Sequence, residues 1–189
     1  MGLKLITPPD GEPVTLEELK HWSRVDFDDD DALIAANGAA AREFCETATG
    51  KQFVAATWEL TTRSLGRGPF VLPKPPLRSV ESIAYRDMSG ALQVLDPSEY
   101  LVAPGEPGTV EPVSSWPATA NRPDAVVITF EAGYGDAAAV PDKIKVAIKG
   151  LAAHWYDQRE GVTNAEGFTR RVPMHVRSLI LQAKDWRAA

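Results

Sequence analysis

The sequence predicts an α+β fold: a helical bundle made from N- and C-terminal helix pairs, with an inserted, proline-rich antiparallel β region. Three observations predict it. Ten of the fifteen prolines fall between Pro69 and Pro123, whereas residues 14–50 and 142–172 contain none, so the ends are free to run as helices and the middle is not. The apolar repeat is helical before Gly50, has a period of two from Phe53, and turns helical again after Pro141. At 189 residues, 44% hydrophobic and 24% charged, the composition is that of a globular protein with room for a sizeable core.

The elements follow in order. Thr15 with Glu18 forms a capping-box pattern, and Leu16, Leu19 and Trp22 mark one face of a short first helix. A second helix starts in the run Asp28–Asp31, whose carboxylates suit the positive end of a helix dipole, and stops at Gly50, a natural left-handed residue. Leu33, Ile34, Ala41, Phe44 and Ala48 supply its periodicity. Val54, Ala56, Trp58, Leu60 and Thr62 then alternate as a half-buried strand. Further strands are expected at Pro69–Leu72, Val80–Asp87, Ala91–Leu95, Tyr100–Ala103, Thr109–Pro112 and Ala125–Ala132, with Met88-Ser89-Gly90 as a hairpin turn. The intervening prolines favour short, edge-like strands over one broad sheet. Pro141 suits the first position of a third helix, carried by Ile144, Ile148, Leu151 and Trp155 to about Glu160. After a polar loop at Asn164–Gly167, Pro173 opens a fourth helix with Val176, Leu179, Ile180, Ala183 and Trp186 on one stripe. The expected organisation is a helical part at 1–50, a β insert at 51–136, a third helix completing the helical core at 137–162, and a loop with a C-terminal helix at 163–189.

Charge narrows the function classes. The net charge of −6 argues against general nucleic-acid affinity, which needs a cationic surface. Residues 1–50 carry four basic and eleven acidic side chains, whereas residues 168–189 carry five basic and one acidic. Opposite ends suit different partners or head-to-tail self-association. Apolar runs such as Ala125–Ile128 and Ala137–Val140 are far too short to span a bilayer, so no membrane partner is expected. The opening Met1–Asp10 lacks the apolar stretch of a secretory signal, which predicts a protein that stays in the cytoplasm that made it. A lone cysteine, Cys45, reads as a core residue and supports neither a disulfide scaffold nor a thiolate zinc site.

The chemical motifs are weak. Asp26, Asp28 and Asp30 resemble the first ligands of a calcium loop, but Asp31 stands at the required Gly position and Asn37 at the required Glu. His21, His154 and His175 have no partner at helical zinc spacing. His154, Asp157, Arg159 and Glu160 share one helix, at the spacing surface ion pairs use. Gly133-Tyr134-Gly135 lacks the closing Gly of a dinucleotide loop, and no nucleophile elbow or phosphate loop occurs. Arg170-Arg171 is a weak basic dipeptide, better suited to a protein interface than to phosphate. No metal or cofactor is expected, and the residues make no positive case for an enzyme. A small hydrolase would need catalytic groups converging from the β insert and third helix. A generic cytosolic binding module would be a monomer with one apolar groove.

Taken together, particular stretches resemble one family, the head–tail connector (adaptor) proteins of long-tailed bacteriophages and gene transfer agents. They are Leu3-Lys4-Leu5-Ile6-Thr7-Pro8-Pro9, Glu12-Pro13-Val14-Thr15-Leu16, Asp31-Ala32-Leu33-Ile34 through Ala41-Arg42-Glu43, and Thr49-Gly50. Trp58-Glu59-Leu60, Pro75-Pro76-Leu77, Ser115-Trp116-Pro117-Ala118, Phe130-Glu131-Ala132-Gly133-Tyr134-Gly135 and the His154–Glu160 helix end continue it over nearly the whole chain. One departure is Asn37-Gly38 in mid-helix, which costs about 1 kcal/mol of helix propensity. The resemblance implies a non-enzymatic structural protein of the virion or phage-like particle, located at the head–tail junction. It implies a ring of about twelve copies beneath the portal protein, with a downstream stopper or tail component on the opposite face and DNA passing through without tight binding. It further implies portal docking by the C-terminal segment, with Arg170, Arg171, Met174, Val176, Arg177, Ile180 and Trp186 as the candidate residues.

Overall fold

A computed structural model describes residues 1–158 and 172–184, and these divide into two compact units. One unit joins Met1–Asp10 to Lys51–Gly135; the other joins Gly11–Gly50 to the described residues after Gly135. Among the described residues the fold is α+β, with four α-helices and antiparallel sheets.

The first unit holds β1 (Gly2–Thr7), β2 (Ala56–Thr62), β3 (Phe70–Val71), β4 (Leu77–Arg86), β5 (Leu92–Val94), β6 (Tyr100–Ala103), β7 (Thr109–Pro112) and β8 (Val126–Ala132). Five strands form a sheet in the order β1-β2-β8-β4-β5, and three form another in the order β3-β7-β6. Every strand pairing within the sheets is antiparallel. The register sets Leu60 opposite Ile128 and Ile128 opposite Ile83, so one face of the large sheet carries a continuous apolar row. Leu60, Ile83, Ile128 and Phe130 are buried there with Leu72, Leu77, Leu95 and Val110.

Two expectations about this unit are corrected. The pattern predicts only helix within residues 1–50, yet Gly2–Thr7 is a strand. Its alternation, Leu3-Lys4-Leu5, is only three residues long before Pro8-Pro9, and the ladder with β2 makes it a strand. The prolines also predict no broad sheet, yet β8 sits inside one of five strands. They fall almost wholly in the connections: Pro73, Pro75 and Pro76 precede β4, Pro97 opens a short 3₁₀ turn, and Pro104 and Pro107 lie between β6 and β7. The ladder therefore loses few donors.

The β4–β5 hairpin turns at the expected residues. Asp87 Oδ1 accepts from the Ser89 hydroxyl (2.6 Å), the Ser89 N–H (2.9 Å) and the Ala91 N–H (3.1 Å), while Oδ2 accepts from Gln93 Nε2 (3.0 Å). Gly90 has φ +88°, which a Cβ would disfavour. Hydrogen bonds from the Ser89 hydroxyl and Gln93, followed by those from the backbone, hold the Asp87 carboxyl at about 2. This lies below the ordinary value of 3.8, so the turn's contribution to stability is present above that pH and is lost as pH falls through about 2. NMR titration is expected to place the Asp87 midpoint near pH 2, and Asp87→Asn should abolish the acid-induced shift of the Ser89 and Ala91 amides. A midpoint near 3.8 would show that the turn is not formed this way.

The second unit holds α1 (Leu16–Ser23), α2 (Asp31–Thr49), α3 (Asp142–Asp157) and α4 (Met174–Ala183). The capping box at Thr15 and Glu18 closes in both directions, at 3.2 and 2.9 Å. Gly50 ends α2 at φ +74°, donating to the Glu46 carbonyl. Helix α1 packs against α2 and α3, α2 against α3, and α4 against both α3 and α2. Leu19, Ile34, Ala41, Cys45, Ile148, Leu151 and Val176 are buried. Burial pushes the Cys45 thiol up to about 12, so it stays protonated and inert at neutral pH. Asn37-Gly38, out of place by helix propensity, has a packing reason: a Cβ on Gly38 would lie 2.5 Å from Leu19 Cδ1, so the missing side chain lets α1 sit close on α2.

Three details differ from the sequence expectation. Pro141 is the extended N-cap residue of α3 rather than its first helical residue, while Pro173 opens α4 from the same N-cap position. Helix α3 ends at Asp157, and Arg159, Glu160 and the Asn164–Gly167 loop lie outside the described residues. Trp22, Leu33 and Phe44 are exposed although they fit the helical repeat. The Lys149 ammonium lies 5.5 Å from the Trp22 ring centroid, and Phe44 meets Trp155 edge-to-face at 6.2 Å.

Candidate assembly surfaces

The polar clusters are tied down within each unit. Arg42 on α2 reaches Glu12 at 2.7 Å and Glu46 at 2.8 Å, clamping the segment before α1 onto α2. Lys20 Nζ sits between Asp28 (2.6 Å) and Asp31 (2.7 Å), an ammonium among the carboxylates of the calcium-like run. That contact holds the Asp28 carboxyl below its usual range. Asp30, the N-cap of α2, makes no side-chain cap bond; instead it accepts from the Tyr156 hydroxyl at 2.5 Å and ties the start of α2 to α3. Among the described residues no group of His, Cys, Asp and Glu is placed to hold a metal ion.

In the β unit the Lys51 side chain is buried and donates to the Glu106 carboxylate, with the Tyr134 hydroxyl 3.4 Å away. Burial first, then Glu106, pushes the Tyr134 phenol up, so it stays neutral. Gln52, also buried, accepts from Trp58 Nε1 at 3.2 Å and donates to the Val54 carbonyl at 3.0 Å. Gly133 and Gly135, noted in the sequence only for failing a nucleotide motif, have φ of +126° and +124°. A Cβ on Gly133 would meet the Ala55 backbone at 2.8 Å. These glycines let the chain leave β8 in close contact with the segment before β2. Sequence reasoning missed the Lys51–Glu106 pair, whose only signal is a lysine beside the helix-stopping Gly50. A small cavity of about 60 Å³ is lined by Ser64, Leu65, Ile83, Tyr85, Trp116 and Thr119, polar and apolar in about equal measure.

The candidate docking residues separate sharply. Met174 is 89% exposed and Arg177 is also on the surface. Val176 and Ile180 are buried. Val176 and Ile180 thus pack inward, and the cause is clear: Gly150 on α3 has no side chain, and a Cβ there would lie 3.1 Å from Val176 Cγ2. Arg170, Arg171 and Trp186 lie outside the described residues.

The β unit exposes several large apolar side chains. Leu92 (58%) and Val94 (69%) are exposed on β5, as are Leu3, Leu5 and Ile6 on β1. Val71 and Leu101 are exposed on the three-stranded sheet. Open sheet edges and apolar faces of this kind are surfaces through which subunits associate.

Solved structures share the fold. The chain is similar to one from the neck of an empty GTA particle computed with C6 symmetry, with TM-score 0.79 and 21% identity over 97% of this chain and 95% of that chain. A chain of the virion of a native gene transfer agent (GTA) particle gives 0.79 and 22% over the same shares. One from the neck of a native GTA particle computed with C12 symmetry gives 0.76 and 21%, again over 97% and 95%. No curated protein matches the sequence. The family model of head completion proteins matches residues 12–183, and the chain belongs to that family.

Proposed function

We propose that this chain is a head–tail connector: a structural, non-catalytic subunit that forms a ring under the portal and joins a DNA-filled capsid to its tail. The observation that carries the reading is the head completion match, which runs from residue 12 to 183 and takes in residues of both units. The neck structure that shares the fold and was computed with C12 symmetry supports a ring of twelve copies. In this reading the protein works at the head–tail junction of a phage-like particle assembled in the bacterial cytoplasm. Helices α1 to α4 form the bundle that makes the ring wall, and the inserted β region decorates it. The opposite face of the ring receives the stopper or tail component. A net charge of −6 favours passage of DNA without tight binding.

Residues 163–189 dock on the portal. Met174 and Arg177 offer an exposed apolar and cationic pair, and Val176 and Ile180 hold the helix that presents them. Arg170, Arg171 and Trp186 complete the docking set. Electron microscopy of particles should show a ring of this protein between portal and tail, and particles lacking the gene should have filled, tailless heads. A Met174→Asp, Arg177→Glu variant is expected to melt like the parent yet bind portal rings at least about tenfold more weakly, the loss of one or two interface anchors. Undiminished binding would move the docking surface elsewhere.

A further inference from the structure

The two edges of the five-stranded sheet are open among the described residues, and they differ. One edge is β1, with Leu3, Leu5 and Ile6 in contact with water. The other is β5, with Leu92 and Val94 exposed and Met88 at the adjoining turn. An apolar strand whose outer N–H and C=O groups have no partner is a template for another strand.

Length and charge choose the partner. The register of β1 shifts between Leu5 and Thr7, and Pro8-Pro9 follows, so the regular free length is Gly2–Leu5. β5 offers the comparable length Leu92–Val94. The sole charged side chain on β1 is the cation Lys4, whereas Asp87–Asp96 carries an aspartate at each end and no cation. Pairing β1 with β1 would set lysine near lysine, and pairing β5 with β5 would set aspartates near aspartates. Pairing β1 with β5 brings opposite charges together. Because each neighbouring pair in the sheet is antiparallel, β1 and β5 run in the same direction. A second copy added without inverting the sheet therefore presents β5 parallel to β1. A contact between two unlike patches is heterologous, and its repetition closes a ring when the rotation per copy permits.

We infer that β1 of one copy pairs in parallel with β5 of the next, so that neighbouring subunits share one continuous sheet. This rests on the ring reading above and names the contact that builds the ring.

Disulfide trapping tests it. The register puts Leu3 and Leu5, opposite Leu60 and Trp58, on the same sheet face as Gln93, which lies opposite Tyr85. Adjacent strands bring such positions within the Cα separation a disulfide accepts. Cys45 is buried and does not interfere. Particles would be assembled with Leu5→Cys/Gln93→Cys or Leu3→Cys/Gln93→Cys, two pairs that span neighbouring registers, then oxidised and run on a non-reducing gel. The expected result is a ladder from dimer to full ring with one pair, and no ladder with either single cysteine. A ring visible at the junction by electron microscopy with no ladder from either pair would overturn the edge contact while leaving the ring reading intact. Dimers from Leu5→Cys alone would overturn it in favour of β1 meeting β1. Absence of any ring in parent particles would remove the ring reading and the edge contact with it. Independently, Val94→Asp should melt like the parent and enter rings at least tenfold less well than the parent; equal entry would also overturn the contact.

Discussion

Val176→Asp is expected to lower the stability of the helical unit by about 3–5 kcal/mol, the cost of an unpaired charge in a dry site. Val176 has no exposed surface, and its Cγ2 lies against the bare backbone of Gly150. A carboxylate placed in that contact would have to protonate or drag the helix off α3. Thermal or urea unfolding checks this, with Ser178→Asp on the exposed side of the same helix as the control, expected within about 0.5 kcal/mol of the parent. A parental melt for Val176→Asp would mean that α4 stands free in solution and offers its whole apolar stripe to the portal. The two outcomes separate a helix that anchors the docking surface from a helix that is the docking surface.

Gly108→Ala should be at least as damaging to the β unit, by about 3 kcal/mol or more, the upper range for overpacking. A Cβ at residue 108 would overlap the Leu77 Cβ, and a Cβ cannot swing away as the end of a long side chain can. The backbone cannot easily yield either: the Gly108 carbonyl accepts from Leu72, and Leu77 exchanges hydrogen bonds with Gly105. Gly68→Ala is the matched control, with nothing within 4 Å of the added methyl and no positive φ. Unfolding curves of the two variants should differ by most of that amount. Equal stability would show that the β6–β7 connection does not close on β4 as described.

Much of this was legible in the chain because it is decided locally. The Thr15–Glu18 box, the Gly50 stop, and the bounds Tyr100–Ala103 and Thr109–Pro112 come from capping, backbone freedom and alternation, which act over a few residues. The head completion relationship was legible too, since short stretches in a fixed order carried the resemblance over nearly the whole chain. By contrast, Gly2–Thr7 has too short an alternation to announce a strand, and only the ladder with β2 makes it one. Lys51 and Glu106 are 55 residues apart, and no spacing rule connects them. Gly38 looks like a flaw in α2 until Leu19 is placed over it.

The candidate docking helix shows the division most clearly. The sequence alone predicts an amphipathic helix after Pro173, because the repeat of Val176, Leu179, Ile180, Ala183 and Trp186 is a property of helical geometry. It could not determine which way that stripe faces, because an apolar face turned to the protein's own core and one reserved for a partner have the same period. Packing settles the direction: the missing side chain at Gly150 admits α4 to α3, burial of Val176 and Ile180 follows from that approach, and Met174 and Arg177 are left outside.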